Sequence, residues 1–243
     1  MERVLVIGGT RGTGLLIANM LLQRGYHVRA AGRNPAAAKG KLDQAVEAIV
    51  VDVTKPETLQ GALRNVEHII FTAGVTKRPA GEEIVRTTEY DGVRNTLIAS
   101  QQARLHGRFL YMTSIGVSQA SFAATMLNLV KRNTLAWRKR AEEEIRRSGL
   151  VYTVIRAGLL TDARGGTRTL EVGQENLRLA FKYKVARADV AEVFAQALGD
   201  PRTSRTTFEV VWGNRPRSEQ AADLFSNLKP DAGAAQARGL TSA

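Results

Sequence analysis

The sequence predicts an α/β fold, a doubly wound parallel sheet in a single domain with helices on both faces. Short β-rich runs alternate with helical patterns along nearly the whole chain, the signature of strand–helix–strand units. Several runs are continuously apolar, as in Ile49-Val50-Val51 and Ile69-Ile70-Phe71, which fits strands covered on both sides. The length of 243 residues, 44% of them apolar, suits one domain with a full core.

Strands are expected at Arg3–Ile7, His27–Ala31, Val46–Val51, His68–Thr72, Arg108–Thr113, Val151–Arg156 and Thr207–Val211. Helices fall between them at Gly12–Arg24, Pro56–Arg64, Glu89–Arg104, Leu127–Arg147 and Asp189–Leu198, with a further candidate at Ser218–Leu228. Pro56 suits a first helical turn, where its missing N–H costs nothing. Trp137, Ala141 and Ile145 recur at four-residue steps and mark the buried face of their helix. Three segments, Val75–Val85, Gly116–Met126 and Leu159–Tyr183, follow the carboxyl ends of strands, where open α/β sheets bind ligands. They are expected to form a short substrate-covering region. The domain is expected to span residues 1–228, and the Pro/Gly/Ala/Gln/Ser segment from Lys229 to Ala243 has little to bury and reads as a disordered tail.

Composition excludes several chemistries. No cysteine means no disulfide framework, thiolate nucleophile or cysteine-based metal site. Met1-Glu2-Arg3 running into a short apolar stretch does not read as a secretory signal, and no apolar run reaches the roughly 18 residues of a membrane span. A cytoplasmic location is expected. The 35 Lys+Arg against 23 Asp+Glu give a net charge of +12, which raises nucleic acid as a partner. The densest run, Arg138 to Arg147, is instead laid out as four-residue pairs such as Arg138/Glu142 and Glu142/Arg146, a solvated helix face. With only 6% aromatic residues there are few bases' worth of stacking surface. The histidines His27, His68 and His106 lie at or before the amino ends of strands, the wrong edge for catalysis, and are too scattered for a metal site. No metal and no nucleic acid are expected; a small-molecule substrate is.

The most informative stretch is Val4-Leu5-Val6-Ile7-Gly8-Gly9-Thr10-Arg11-Gly12-Thr13-Gly14, a strand ending in a glycine-rich turn that opens a helix. Gly8 permits the turn, Gly12 lets a pyrophosphate approach the backbone, and Gly14 lets helix pack on strand, so Gly8, Thr10, Arg11, Gly12, Thr13 and Gly14 form a candidate dinucleotide cradle. An NAD-specific site carries a carboxylate at the end of the second strand. Here Ala30-Ala31-Gly32-Arg33-Asn34 offers none, and Arg33, with Arg11 reaching the same group, provides guanidinium forks for a 2′-phosphate; both also read as solvated surface arginines. Asp52-Val53 either flanks the adenine or serves, through Asp52, as a helix cap near Pro56.

These residues resemble the short-chain dehydrogenase/reductase superfamily, and more narrowly its atypical NmrA-like and biliverdin-reductase-B-like branch. The resemblance spans Val4 to about Val211. Beyond the glycine loop it rests on Thr72-Ala73-Gly74, on Glu89 to Ile98, on Phe109 to Gly116, on Ser148 to Gly158 and on Ala186-Arg187-Ala188-Asp189-Val190-Ala191. It implies a Rossmann-like fold, NADP(H) as cofactor, Ala73 and Gly74 beside the adenine ribose, Ala157 and Gly158 beside the nicotinamide, and Ser114 as the active-site serine. The superfamily's Tyr-x-x-x-Lys pair falls on Thr134 and Arg138. A tyrosine is useful there because a neighbouring lysine pulls its pKa down from about 10, and threonine is far too weak an acid to replace it. Ala157 also stands where the branch has proline. The resemblance then implies an NADPH-dependent reductase of a quinone-, flavin- or enone-like acceptor, or a non-catalytic NADP(H)-binding sensor; an isomerase has no positive signal. Tyr183 and Lys131 lie near the covering segments, within reach of the site or simply on the surface.

Overall fold

The computed structural model describes residues 2–75, 81–119, 121–130, 132–220 and 223–232. In chain order the elements are β1 (Arg3–Ile7), α1 (Gly12–Gln23), β2 (His27–Gly32), β3 (Glu47–Val50), α2 (Glu57–Ala62), β4 (His68–Phe71), α3 (Glu82–Arg86), α4 (Gly92–Gln102) and β5 (Arg108–Ser114). They continue with α5 (Phe122–Val130), α6 (Thr134–Arg147), β6 (Val151–Ala157), β7 (Leu159–Thr161), β8 (Arg168–Gly173), β9 (Lys184–Ala186), α7 (Arg187–Gly199) and β10 (Thr206–Pro216). Eight strands form one sheet in the order β3-β2-β1-β4-β5-β6-β10-β8, with only β8 antiparallel to its neighbour. The chain winds outward from β1 to β3, then returns to β4 on the other side of β1. That reversal opens a crevice at the carboxyl ends of β1 and β4.

The Ile69-Ile70-Phe71 run is buried on both faces, as its lack of alternation predicts, whereas Ile49-Val50-Val51 is not: β3 is an edge strand and Val50 is 64% exposed. Val4 and Val6 face one layer, packing with Ile17 and Leu21 of α1 and Val190 and Phe194 of α7. Leu5 and Ile7 face the other, with Leu59 of α2, Val93 and Leu97 of α4, and Ala141 and Ile145 of α6. Each such fully buried aliphatic side chain contributes on the order of 1.5–3 kcal/mol. No helix among the described residues is long and apolar enough to cross a membrane.

Four further expectations need correction. The helix expected over Leu127–Arg147 is two helices, because Arg132 and Asn133 take positive φ (50° and 61°) and break it. The Asn128 side chain then accepts from the Leu135 N–H at 2.9 Å, serving the new helix start. Leu159–Tyr183, read as loop, contributes two strands: β7, which pairs with β9 just beyond the segment, and β8, which adds to β10. Those pairings are long-range and leave no local pattern. The Ser218–Leu228 helix is replaced by a single 3₁₀ turn at Arg217–Glu219 and further turns that bury Phe225 against Phe208. Finally, Lys229–Ala232 lie within the described chain, and Asp231 accepts from the Thr207 N–H (2.9 Å), the Tyr152 hydroxyl (2.9 Å) and Arg146 Nε (3.3 Å). Residues 233–243 of the expected tail lie outside the described residues.

Arg108 is the main polar tie between sheet and helix. Its buried guanidinium donates to the carbonyls of Ala197, Leu198 and Asp200 at the end of α7, and to the hydroxyls of Thr153 and Thr203. Burial brings its pKa down to about 10. Arg108→Met removes this donor from the cluster; the Thr203 hydroxyl still reaches the Ala197 and Asp200 carbonyls, and each group left unpaired out of reach of water costs about 1–3 kcal/mol. The melting temperature should fall by roughly 5–15 °C, read by calorimetry; an unchanged midpoint would show that the tie carries no stability.

Candidate functional site

The crevice is built on a tight contact. A Cβ at Gly14 would sit 2.3 Å from the Gly8 carbonyl oxygen and 2.5 Å from Thr72 Oγ1. Only glycine lets α1 rest on β1 and β4 this closely. Gly12 differs: its φ is +53° and a Cβ there would meet nothing nearer than Arg187 Nε at 4.0 Å. The space beside it is open, and the first-turn N–H groups of α1 have no intrahelical acceptors. The helix begins at Arg11 with no side-chain cap and no acid in its first turn. A positive, uncapped helix end beside an open glycine fits the diphosphate of a dinucleotide.

The neighbouring residues divide. Arg33, just past β2, is exposed and makes no hydrogen bond or ion pair with a described residue. Thr10 packs over Gly32, where a Cβ would lie 2.3 Å from its Oγ1, and Thr13 is buried. Arg11 does not join Arg33: its Nη2 donates to the Gly74 carbonyl at 3.3 Å, on the β4 side of β1. The Asp52 carboxylate accepts from the Thr54 N–H (3.0 Å) and hydroxyl (2.8 Å), closing a local turn before α2. Val53 is buried against Gly92, and its carbonyl accepts from Asn95 Nδ2 at 2.9 Å.

At the other half of the edge, Ser114 ends β5 directly opposite Ala157 at the end of β6. Ala73 and Gly74 follow β4, and the Gly158 N–H donates to the Val210 carbonyl at 2.9 Å. Beside Gly74 lies a closed polar cluster. Glu89, 3% exposed, accepts from Arg138 Nε (2.9 Å) and Nη2 (3.2 Å), the Val75 N–H (3.1 Å) and the Thr134 hydroxyl. Burial alone would raise its pKa, but the Arg138 charge and these donors hold it below its ordinary value. Arg138 is likewise driven more basic: burial lowers its pKa, and the Glu89 charge more than offsets that. The Thr134–Arg138 positions thus hold an ion pair with no proton to give. Tyr111, one strand in, is buried, which pushes its phenol up and away from proton transfer.

Glu89 is the site residue the sequence reading missed. A turn of π-helix at Thr87–Asp91 sets it inward ahead of α4, and such turns leave no pattern in a single sequence. The available signal was Arg138 itself: an arginine on a buried helix face requires an anion nearby. The covering segments form their own small core, with Ile115, Val117, Ala124, Leu135 and Leu179 buried together and Tyr183 packed against it. Lys131 lies outside the described residues. The histidines sit at the opposite edge; His68 Nδ1 accepts from the Arg108 N–H at 2.9 Å. Among the described residues no cluster of His, Asp or Glu could hold a metal ion.

A doubly wound sheet with an uncapped glycine-rich helix start at its switch point defines a Rossmann-like nucleotide-binding protein. The family model described as NAD(P)H-binding matches residues 8–201, and the chain belongs to that family. It is 30% identical to the chloroplast protein TIC 62 of Arabidopsis thaliana over 229 residues, 84% of this chain and 34% of that one, so it spans about a third of that relative. It is 26% identical to sanguinarine reductase of Eschscholzia californica over 249 residues, 88% of this chain and 89% of that one. The solved structure of a short-chain dehydrogenase/reductase from Veillonella parvula in complex with NADP superposes with a TM-score of 0.70 at 17% identity, covering 88% of this chain and 96% of that one. That likeness speaks for the fold.

The Glu89–Arg138 pair makes a pH-dependent prediction. In the wild type the folded pKa of Glu89 lies below its ordinary value of 4.5. Its stabilisation is therefore complete above that pH and is lost as the pH falls below it. Arg138→Met removes the main compensating charge, costing about 3–5 kcal/mol, and leaves burial to raise the Glu89 pKa. The variant should then melt at higher temperature as the pH is lowered from 8 to 5.5, opposite in trend to the wild type at its acid limb. Parallel melting profiles across pH for the two proteins would refute the pairing.

Proposed function

We propose that this chain is an NADPH-dependent reductase of a conjugated small molecule that accepts hydride without a protonating side chain, an acceptor of the quinone, flavin or enone kind. The observation that carries this is the Thr134–Glu89–Arg138 cluster where the superfamily keeps its acid pair. The glycine-rich edge, the NAD(P)H-binding family model and a relative named as a reductase support it. When bound, the cofactor supplies the hydride. The residues that would hold it are Gly8, Thr10, Gly12, Thr13 and Gly14 at the phosphates, Asp52, Val53, Ala73 and Gly74 along the adenosine half, and Ala157 and Gly158 beside the nicotinamide. Ser114, opposite Ala157 across β5 and β6, donates a hydrogen bond to the acceptor oxygen. Proximity and orientation then carry most of the rate, and the proton comes from solvent or from the acceptor.

The choice of NADP(H) over NAD(H) rests on Arg33, an exposed guanidinium at the end of a strand whose usual carboxylate is missing. Each charged hydrogen bond to a 2′-phosphate contributes about 1.5–3 kcal/mol, so NADPH should bind roughly ten- to a hundredfold more tightly than NADH. Fluorescence titration of both cofactors checks this, and Arg33→Asp should abolish or reverse the preference. Equal affinities in the wild type would remove the assignment.

Catalysis is tested by following NADPH oxidation across quinones, flavins and simple ketones. Quinones and flavins should outperform ketones, and Ser114→Ala should lower kcat about ten- to a hundredfold, the scale of one transition-state hydrogen bond. Thr134→Val should leave the relative rates among acceptors as they are. Tight NADPH binding with no turnover on any acceptor would replace the reductase with a non-catalytic NADP(H) sensor.

A further inference from the structure

Arg187 opens α7, and its side chain crosses to the glycine-rich loop. Its Nε lies 4.0 Å from the position a Gly12 Cβ would occupy. Nη1 is buried without a hydrogen-bond acceptor, although the Asp162 carboxylate stands within ion-pair distance at 3.3 Å. That carboxylate is 89% exposed, so water weakens its hold on the guanidinium. Across β7 and β9, Thr161 pairs with Ala186, and it too leaves a buried hydroxyl oxygen without a partner.

The opposite side of the gap is also positive. The N-terminus of α1 has no side-chain cap and no acidic residue in its first turn; α7 packs alongside, its start also without a side-chain cap but with Asp189 in its first turn. The α1 N-terminus and the Arg187 guanidinium, on either side of an open glycine, together favour an anion between them. The other motif residue near this helix start does different work: Asp189 accepts from the Gly166 N–H and Trp212 Nε1, each at 2.7 Å, and fastens the 165–167 turn to β10.

We propose that Arg187 is a ligand of the diphosphate shared by NADPH and NADH, exchanging its ion pair with Asp162 for a charge-assisted contact when the dinucleotide binds. This rests on the NAD(P)H reading of the glycine-rich edge. Arg33 chooses between the two cofactors, and Arg187 holds whichever is present.

The test titrates wild type, Arg187→Gln, Arg187→Lys and Asp162→Asn with NADPH, NADH and adenosine 2′-monophosphate, which keeps the 2′-phosphate and lacks the diphosphate. Arg187→Gln should weaken both dinucleotides by about ten- to a hundredfold, leave their ratio unchanged, and bind adenosine 2′-monophosphate as the wild type does. It should also flatten the salt dependence of dinucleotide binding, with Arg187→Lys falling between it and the wild type. Asp162→Asn should bind both dinucleotides as tightly as the wild type or more so. Wild-type affinity in Arg187→Gln overturns the proposal. So does an equal loss in Asp162→Asn, which would make the pair a structural strut, and so does an equal loss for adenosine 2′-monophosphate, which would mean general damage. A wild type that binds no dinucleotide would overturn the NAD(P)H reading itself, and Arg187 with it.

Discussion

The contact on which the molecule depends is the approach of α1 to the ends of β1 and β4. At Gly14 the helix backbone lies so close that one added carbon would stand 2.3 Å from the Gly8 carbonyl and 2.5 Å from the Thr72 hydroxyl. That distance aims the first turn of α1 along the carboxyl edge of the sheet, and it lets Ile17 and Leu21 reach the core beneath. It also ties the two halves of the winding together, because Thr72 donates to the Ile7 carbonyl through both its N–H (2.8 Å) and its hydroxyl (3.0 Å). Widening the contact would both unseat the helix and spoil the phosphate cradle.

The polar interior follows a consistent plan away from that edge. Arg156, near the end of β6, is buried between Glu142 Oε2 (2.7 Å) and Glu209 Oε1 (3.2 Å). Burial would lower its pKa, and those carboxylates more than restore it. Arg108 ties α7 to β5, and Asp231 fastens the chain after β10 to Tyr152, Thr207 and Arg146. Several arginines are thus held inside the fold as paired or hydrogen-bonded guanidinium.

The candidate site was legible where chemistry is local. The glycine loop, the missing acid before Arg33 and the β5 and β6 motifs ending at Ser114 and Ala157 all sit in short runs whose residue types are dictated by backbone geometry. Two residues escaped. Glu89 reaches Arg138 from 49 positions away, through a π-turn that no periodicity announces. Arg187 reads as part of the Ala186–Ala191 motif, and only the fold shows that its Nε stands 4.0 Å from a Cβ at Gly12. Arg11, an exposed side chain between two strand ends, donates to the Gly74 carbonyl.

What the sequence determined by itself is the winding: apolar runs too continuous for a half-exposed sheet, helical periods between them, and glycines where the first helix must touch the strand. These are properties of single elements, and hydrophobic burial with backbone sterics enforces them wherever the elements pack. What only the tertiary structure decided is the partnership of distant groups. β8 joined β10, a long helix broke at Arg132 and Asn133, and Arg138 found its anion in Glu89. Buried charges must be neutralised by whatever three-dimensional packing brings within about 3 Å, and that distance is not written in any local stretch of the chain.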